Sequence, residues 1–178
     1  DGIYADGAQP ASLYIRADCS LEAAMGLAAA RSALGQTAYG QTGHRLNDYI
    51  YFDSILSQGP RADPCSPSYG LLGWSEPDEE GTYYGDDSAR ALLASITSAA
   101  MLNSDRWDEA ILRTTLANFR TTGIYGFRPW YIPEDDLQVN GWQYYWQSTY
   151  VSYLPHLESW PWAVYLWLYD KTGFEPLL

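Results

Sequence analysis

The sequence predicts an all-α fold built from antiparallel helical hairpins. Five stretches combine helix-forming residues with apolar residues at helical spacing. The connections between them alternate between short and long, and short connections make consecutive helices antiparallel neighbours. Some of the stretches open on acidic residues, which favour the first turn of a helix. Together these observations predict a single helical domain, residues 1–178, with its long loops at one end.

The first two predicted helices form the first hairpin. The first is Ala-rich and apolar almost all round, begins near Leu21 and ends near Gly35. A short connection, 36–43, leads to the second predicted helix at about 44–58. That helix has an apolar stripe and a polar face, so we expect it to lie in an outer layer.

The next three predicted helices extend the same pattern. The long loop 59–85 leads to a third helix at about 86–102, again apolar nearly all round. A very short turn precedes the fourth helix at about 105–121, which has an apolar stripe. The second long loop, 123–155, precedes a fifth helix that begins at Pro155 or His156 and reaches Lys171.

Composition limits the classes of function. Hydrophobic residues make up 47% of the chain, so it is globular, and the formal net charge of -12 argues against binding nucleic acid or an anionic membrane surface. No apolar run is long enough for a membrane span. Eight Trp and sixteen Tyr residues suit the apolar faces of sugars as well as protein partners. This composition favours an extracellular or periplasmic protein, in which Cys19 and Cys65 form one disulfide or remain two buried free thiols.

The predicted hairpins bring the starts of the first, third and fifth helices together. These three helices are the most uniformly apolar and should form the inner layer. Their starts lie at the end that carries the long loops, which makes a concave mouth. We expect this mouth to hold acidic residues and a histidine, with arginines and tryptophans from the loops around it: Asp18, Asp86, Asp87, His156 and Glu158, with Arg61, Arg128, Trp74, Trp130 and Trp142. Such a set suits a glycan site.

Several short motifs also resemble a known family. They occur in the order Tyr14-Ile15-Arg16-Ala17-Asp18-Cys19, Gln58-Gly59-Pro60-Arg61, Tyr84-Gly85-Asp86-Asp87-Ser88-Ala89-Arg90, Asp105-Arg106-Trp107, Asn118-Phe119-Arg120-Thr121-Thr122-Gly123 and Trp167-Leu168-Tyr169-Asp170-Lys171-Thr172-Gly173-Phe174. Their order and spacing resemble the six-hairpin, (α/α)6-toroid glycosidase-like proteins. The resemblance implies a toroid of twelve helices, of which this chain would form about half. The chain would then be a segment of a longer protein, complete a ring with another chain, or stand alone as a reduced version.

Asp86 and Asp87 are the first candidates for catalysis. Neighbouring residues on a helix point about 100° apart, so one carboxylate is expected to cap the helix while the other projects into the mouth. The sequence leaves open which one projects. A carboxyl group in a crowded acidic pocket has a raised pKa, as a general acid requires. Asp18 has two interpretations, a helix cap or a contributor to the site.

The arginines of the mouth also have two interpretations. Either these arginines bind a carboxylate of the substrate or they pair with the acidic residues of the protein itself: Arg16, Arg61, Arg90, Arg120 and Arg128.

No cofactor and no metal site is predicted. His156 and Glu158 are two residues apart and point to different sides of a helix, and the two His and two Cys show no ligand spacing.

From the sequence as a whole we expect a glycoside hydrolase-like domain that acts on or binds poly- or oligosaccharides through an Asp general acid. The alternative is a non-catalytic glycan-binding or structural subunit that associates with itself or with the second half of a toroid.

Overall fold

The chain is mostly helical in the computed structural model, which describes residues 4–8, 14–77 and 81–178. The described residues form seven α-helices: α1 Ala17–Leu34, α2 Thr37–Asp48, α3 Gly85–Leu102, α4 Asp108–Arg120, α5 Glu134–Asn140, α6 Trp142–Trp146 and α7 Pro155–Thr172. A single π-helical segment, Tyr49–Asp53, continues α2. The prediction of a mostly helical fold is confirmed.

Two short antiparallel strand pairs, absent from the all-α prediction, tie the long loops to the helices. They are formed by β1 Ile15–Arg16 with β2 Ser75–Glu76, and by β3 Thr82–Tyr84 with β4 Tyr131–Pro133. The first pair joins the start of α1 to the loop before α3. The second pair joins that loop to the one before α7, with Tyr84 opposite Tyr131. Both pairs lie beside the starts of the helices.

The long helices pack in two staggered rows. Helix α3 packs between α1 and α7, while α2 contacts α1 and α3, and α4 contacts α3 and α7. Arg90 near the start of α3 pairs with Glu22 near the start of α1, and Leu102 at the end of α3 lines a cavity with Arg31 at the end of α1. Helices α1 and α3 therefore run in the same direction. The ends of α3 and α7 also line a common cavity, so α7 follows that direction too.

Two clusters of buried apolar side chains hold these elements together. The larger lies among the helices and includes Leu21, Leu92 and Trp107, each at most 1% exposed. The smaller lies beneath the long loops and is centred on Tyr83 and Ile132. Burial of this second cluster fixes the loops against the helices.

The start of the second helix and the content of the second long loop differ from the predictions. Helix α2 begins at Thr37, whereas 36–43 was expected to be a connection. Glycines at two positions of α2 lower the helix propensity of this stretch, but they allow a close approach to α1. A methyl group added at Gly43 would lie 2.9 Å from the carbonyl oxygen of Ala24. In the second loop, predicted over 123–155, two stretches are the short helices α5 and α6.

The expectation that aspartates cap the helices of the mouth is wrong. Helix α1 begins at Ala17 and α3 at Gly85, so Asp18, Asp86 and Asp87 lie inside the first turns. Neither helix has a side-chain cap hydrogen bond at its start. The carboxylates still carry the charge that the positive end of a helix dipole favours, and their oxygens remain available for other partners.

The disulfide interpretation is also wrong in this structure. Cys19 and Cys65 are free thiols, and both are exposed. Cys19 lies in the first turns of α1, while Cys65 lies in the loop after Arg61, in a turn where its backbone N–H donates to Asp63 Oδ1. The two sulfurs are apart and belong to separate surfaces.

Candidate functional site

Five charged side chains form a cluster where α1 and α3 begin. The guanidinium of Arg16 donates to both carboxylate oxygens of Asp18, at 3.0 and 2.8 Å, and to Asp87 Oδ1 at 2.9 Å. Arg90 donates to both oxygens of Glu22, at 2.9 and 2.8 Å, and lies 3.1 Å from Asp18. Asp18 is 1% exposed, so its charge depends on these two arginines. We call these five residues the charge cluster.

Asp87, a carboxylate of the charge cluster, has a raised pKa. Its loss of hydration and the neighbouring charges of Asp18 and Asp86 raise its pKa to about 6. Arg16 and Arg90 oppose this shift without cancelling it. A carboxyl group with this pKa holds its proton in mildly acidic solution, where it can act as an acid.

Asp86 faces a different set of groups, at the start of α7. It lines a small pocket of about 10 Å³ with Arg128, Trp130 and Glu158. Burial raises the pKa of Glu158 and lowers that of Arg128. Arg128 is 2% exposed, and its Nη1 donates to Asn118 Oδ1 at 2.7 Å, while no protein group within the described residues accepts from its Nε or Nη2. A buried guanidinium with two unused donors therefore lies beside two carboxylates.

Five aromatic rings form a continuous row along the mouth, which we call the aromatic ribbon. Its order is Tyr14, Trp74, Tyr84, Tyr131 and Trp130, and the centroids of successive rings are 6.3, 5.5, 5.8 and 6.1 Å apart. The strand pairs described above set this order, because they bring three separate segments side by side. The ribbon therefore belongs to the strand-and-loop layer above the helix starts.

Arg16 and Trp130 connect the ribbon to the acidic groups. The Arg16 guanidinium lies 5.4 Å from the centre of the Trp74 ring while it binds Asp18 and Asp87. Trp130 lines the small pocket together with Asp86. The acidic groups and the aromatic rings therefore form one surface, which is the candidate functional site.

Two of the predicted site residues lie elsewhere. Arg61 is 7% exposed and stacks at 5.3 Å over the ring of Tyr83, whose hydroxyl donates to the buried Glu134. These contacts lock the two long loops together beneath the mouth. Trp142 packs against the smaller apolar cluster, with the Arg120 guanidinium 5.9 Å from its ring. Both residues support the loops and lie outside the charge cluster, the small pocket and the ribbon.

Of the remaining predicted residues, all but His156 belong to the site or contact it. Asp18, Asp87, Arg16 and Arg90 belong to the charge cluster, and Trp74 contacts it through Arg16. His156 is exposed in the first turn of α7, two residues before Glu158 of the small pocket.

Sequence reasoning missed four members of the site: Glu22, Tyr14, Tyr84 and Tyr131. Glu22 lies four residues after Asp18, a spacing that places both on one side of a helix and could have identified it. The three tyrosines carry no such signal, because their neighbours in the ribbon come from distant segments.

Comparisons with known proteins assign no family to the chain. No protein-family model, curated protein or solved structure matches the chain significantly. Among the described residues, every helix is too short or too polar to cross a bilayer. The same residues contain no group of three or more His, Cys, Asp or Glu that could hold a metal ion.

Proposed function

We propose that the chain is a glycoside hydrolase-like domain of the (α/α)-toroid type, with Asp87 as its general acid. The observation that carries this proposal is the meeting of acidic groups from three helix starts beneath a row of aromatic rings. Asp87 and Asp18 come from α3 and α1, and Glu158 comes from α7. Two carboxyl groups in different environments are the usual requirement for cleaving a glycosidic bond.

The two sides of the mouth suit different roles in this reaction. Asp87, with a pKa of about 6, would give its proton to the oxygen of the leaving sugar as the bond from that oxygen to the anomeric carbon breaks. Asp86, beside the buried guanidinium of Arg128, would act as the second carboxylate and take a proton from the attacking water. The hydroxyl of that water ends on the anomeric carbon, so the products are two sugars with free hydroxyl groups.

Loss of the Asp87 proton should set the alkaline limit of activity. The proton is present below pH 6 and is lost as the pH rises through about 6. We therefore expect kcat to fall about tenfold per pH unit above that value. Release of reducing sugar from a panel of polysaccharides, measured between pH 4 and 8, gives this profile.

Replacement of the two aspartates tests the assignment directly. Asp87→Asn and Asp86→Asn should each lower kcat by about 10²-fold or more. Asp48→Asn is the matched control, because Asp48 also binds an arginine, Arg106 at 2.6 Å, but lies at the far end of α2. Wild-type rates in both active-site variants, with folding verified by circular dichroism, would remove these residues from catalysis.

A second candidate function, a subunit that assembles with further chains, rests on uncovered apolar surface. Trp160 and Leu166 of α7 are 43% and 53% exposed, and Leu112 of α4 is 45% exposed. Leu112 also lines a groove of about 780 Å³ between the end of α3, the start of α4 and the end of α7. Apolar surface of this kind is typical of association sites. Sedimentation of wild type and Leu166→Glu tests this candidate: a wild type that stays monomeric at all concentrations argues against it.

A further inference from the structure

We propose that the aromatic ribbon binds an extended, uncharged glycan chain that lies alongside the carboxylates. This inference rests on the proposed function and names its substrate class: an extended polymer without acidic sugars. It is argued from the spacing of the rings, the position of the carboxylates along the ribbon, and the occupation of the arginines.

The ribbon offers several ring faces in succession. Tyr14, Tyr131 and Trp130 are 45%, 47% and 57% exposed, while Trp74 and Tyr84 between them are half-buried. Each ring presents an apolar face that can pack against the C–H groups of a sugar. Successive centroids lie 5.5 to 6.3 Å apart, so neighbouring rings can contact neighbouring units of one chain. A single terminal sugar would leave most of this surface unused.

The carboxylates lie beside the middle of the ribbon. Tyr84 is the third of the five rings and directly precedes Gly85, the first residue of α3, with Asp86 and Asp87 in the same turn. Two rings lie on each side of Tyr84. Trp130, at one end, also lines the pocket of Asp86. Arg16, which binds Asp87, stacks on Trp74. A chain along the ribbon therefore lies alongside both carboxylates.

The charges of the mouth disfavour an acidic glycan. The guanidiniums of Arg16 and Arg90 are already engaged by the carboxylates of the charge cluster, and that of Arg128 is buried. An incoming carboxylate at Arg16 or Arg90 would have to displace an internal ion pair. The charge cluster and the small pocket together hold five carboxyl groups and three guanidiniums: Asp18, Glu22, Asp86, Asp87 and Glu158, with Arg16, Arg90 and Arg128. This excess of negative charge repels a chain of uronic acids.

Binding of a length series of oligosaccharides tests the inference. The probes are α- and β-linked hexose and pentose oligomers of two to six units, with uronic acid oligomers of the same lengths, titrated calorimetrically into Asp87→Asn so that no probe is cleaved. For the best uncharged probe we expect the dissociation constant to fall at least tenfold from two units to five. The uronic acid oligomers should bind at least tenfold more weakly than uncharged oligomers of equal length.

Two tryptophans and a control locate the binding surface. In the same Asp87→Asn background, Trp74→Ala and Trp130→Ala, which truncate opposite sides of the ribbon, should each weaken binding of the longest probe about tenfold. Trp146→Ala is the matched control, because Trp146 is 40% exposed but packs on Phe119, outside the ribbon. This control should bind like its parent.

The possible failures are distinguishable. An affinity that does not grow with length, tighter binding of uronic acids, no binding of any uncharged probe, or equal effects of all three tryptophans would overturn the inference. Cleavage by the wild type that is lost in Asp87→Asn, together with length-independent binding, would leave the proposed function standing alone. Length-dependent binding without cleavage by the wild type would refute the hydrolase and retain the glycan-binding ribbon.

Discussion

Replacement of Arg90 by Met tests the role of the charge cluster in holding the mouth together. The Arg90 guanidinium contacts Glu22 at 2.8 Å, Asp18 at 3.1 Å and Asp87 at 3.5 Å. Met keeps the apolar part of the side chain and removes the charge. Asp18, only 1% exposed, then keeps Arg16 as its one arginine partner in the cluster, and the negative charges of the cluster exceed the positive ones by two.

The expected magnitude follows from burial. Two unit charges 4 Å apart interact by about 4 kcal/mol at an effective dielectric constant of 20. Arg90 is 29% exposed, which screens part of this interaction, whereas the carboxylate of Asp18 is almost fully buried. Breaking a buried pair by removal of one partner costs about 3–5 kcal/mol. We therefore expect Arg90→Met to lower the free energy of unfolding by about 3 kcal/mol at pH 8.

The loss should be smaller at pH 5, and the sign follows from Asp87. Its pKa in the folded protein lies above the ordinary value, and removal of Arg90, which lowers it, moves it further up. A raised pKa in the folded state stabilises the protein at low pH, and this stabilisation is lost as the pH rises through about 6. Protonation of Asp87 at pH 5 therefore offsets part of the missing positive charge.

Urea denaturation at both pH values, followed by tryptophan fluorescence, measures this effect. Arg106→Met is the control, because it removes the same charge from a pair with Asp48 at 2.6 Å, in which Arg106 is 53% exposed. An exposed pair is worth at most about 1 kcal/mol. Equal losses in the two variants, or a loss in Arg90→Met that does not change between pH 5 and pH 8, would refute the reasoning.

Two further predictions concern helix packing and the cysteines. Gly43→Ala should lower the free energy of unfolding by about 2 kcal/mol, because its methyl group would lie 2.9 Å from the Ala24 carbonyl oxygen. The control is Gly26→Ala, which should raise the free energy of unfolding by about 0.5–1 kcal/mol, because the added carbon meets open space. A Gly43→Ala variant more stable than the wild type would contradict the packing of α2 on α1. Cys19 and Cys65 should both react with a thiol reagent in the folded protein without prior reduction, and mass spectrometry should then show two labels per chain. An unlabelled protein whose mass is lower by two hydrogens would instead show a disulfide.

The third helix was predictable because apolar spacing and an acidic start agreed, whereas α4, with the same signals, begins three residues after its predicted start. The third predicted helix, at about 86–102, differs from α3 by one residue at its start. The start of α2 was missed because Gly40 and Gly43 suggest a loop when only local propensity is considered. Their role appears only when α1 lies alongside, where the missing side chains permit close contact.

The short helices within the long loops could not be predicted from the sequence. Helix α5 has seven residues, fewer than an isolated helix needs for stability in water. It forms because Leu137 is fully buried in the smaller apolar cluster and Glu134 accepts hydrogen bonds from Ser68 and Gln138. These partners are up to 66 residues away along the chain, so no local sequence pattern predicts the contacts.

The candidate site was also predictable from the sequence only in part. The meeting of Asp18 and Asp87 followed from helix order and loop length, which are properties of the sequence pattern. The ribbon did not, because the contact of Trp74 with Tyr84 and that of Tyr84 with Tyr131 depend on the paths of loops. Loop paths are fixed by burial of distant side chains and by short strand pairs, and neither leaves a periodic signal.

The direct junction between β3 and α3 has a consequence for ligand affinity. Strand β3 ends at Tyr84 and helix α3 begins at Gly85, so no flexible linker separates the central ring from the two aspartates. Their relative positions are established during folding, and a ligand does not have to order this segment when it arrives. Little conformational entropy is then lost here on association, and crystal forms with and without a sugar chain should superpose closely at these residues.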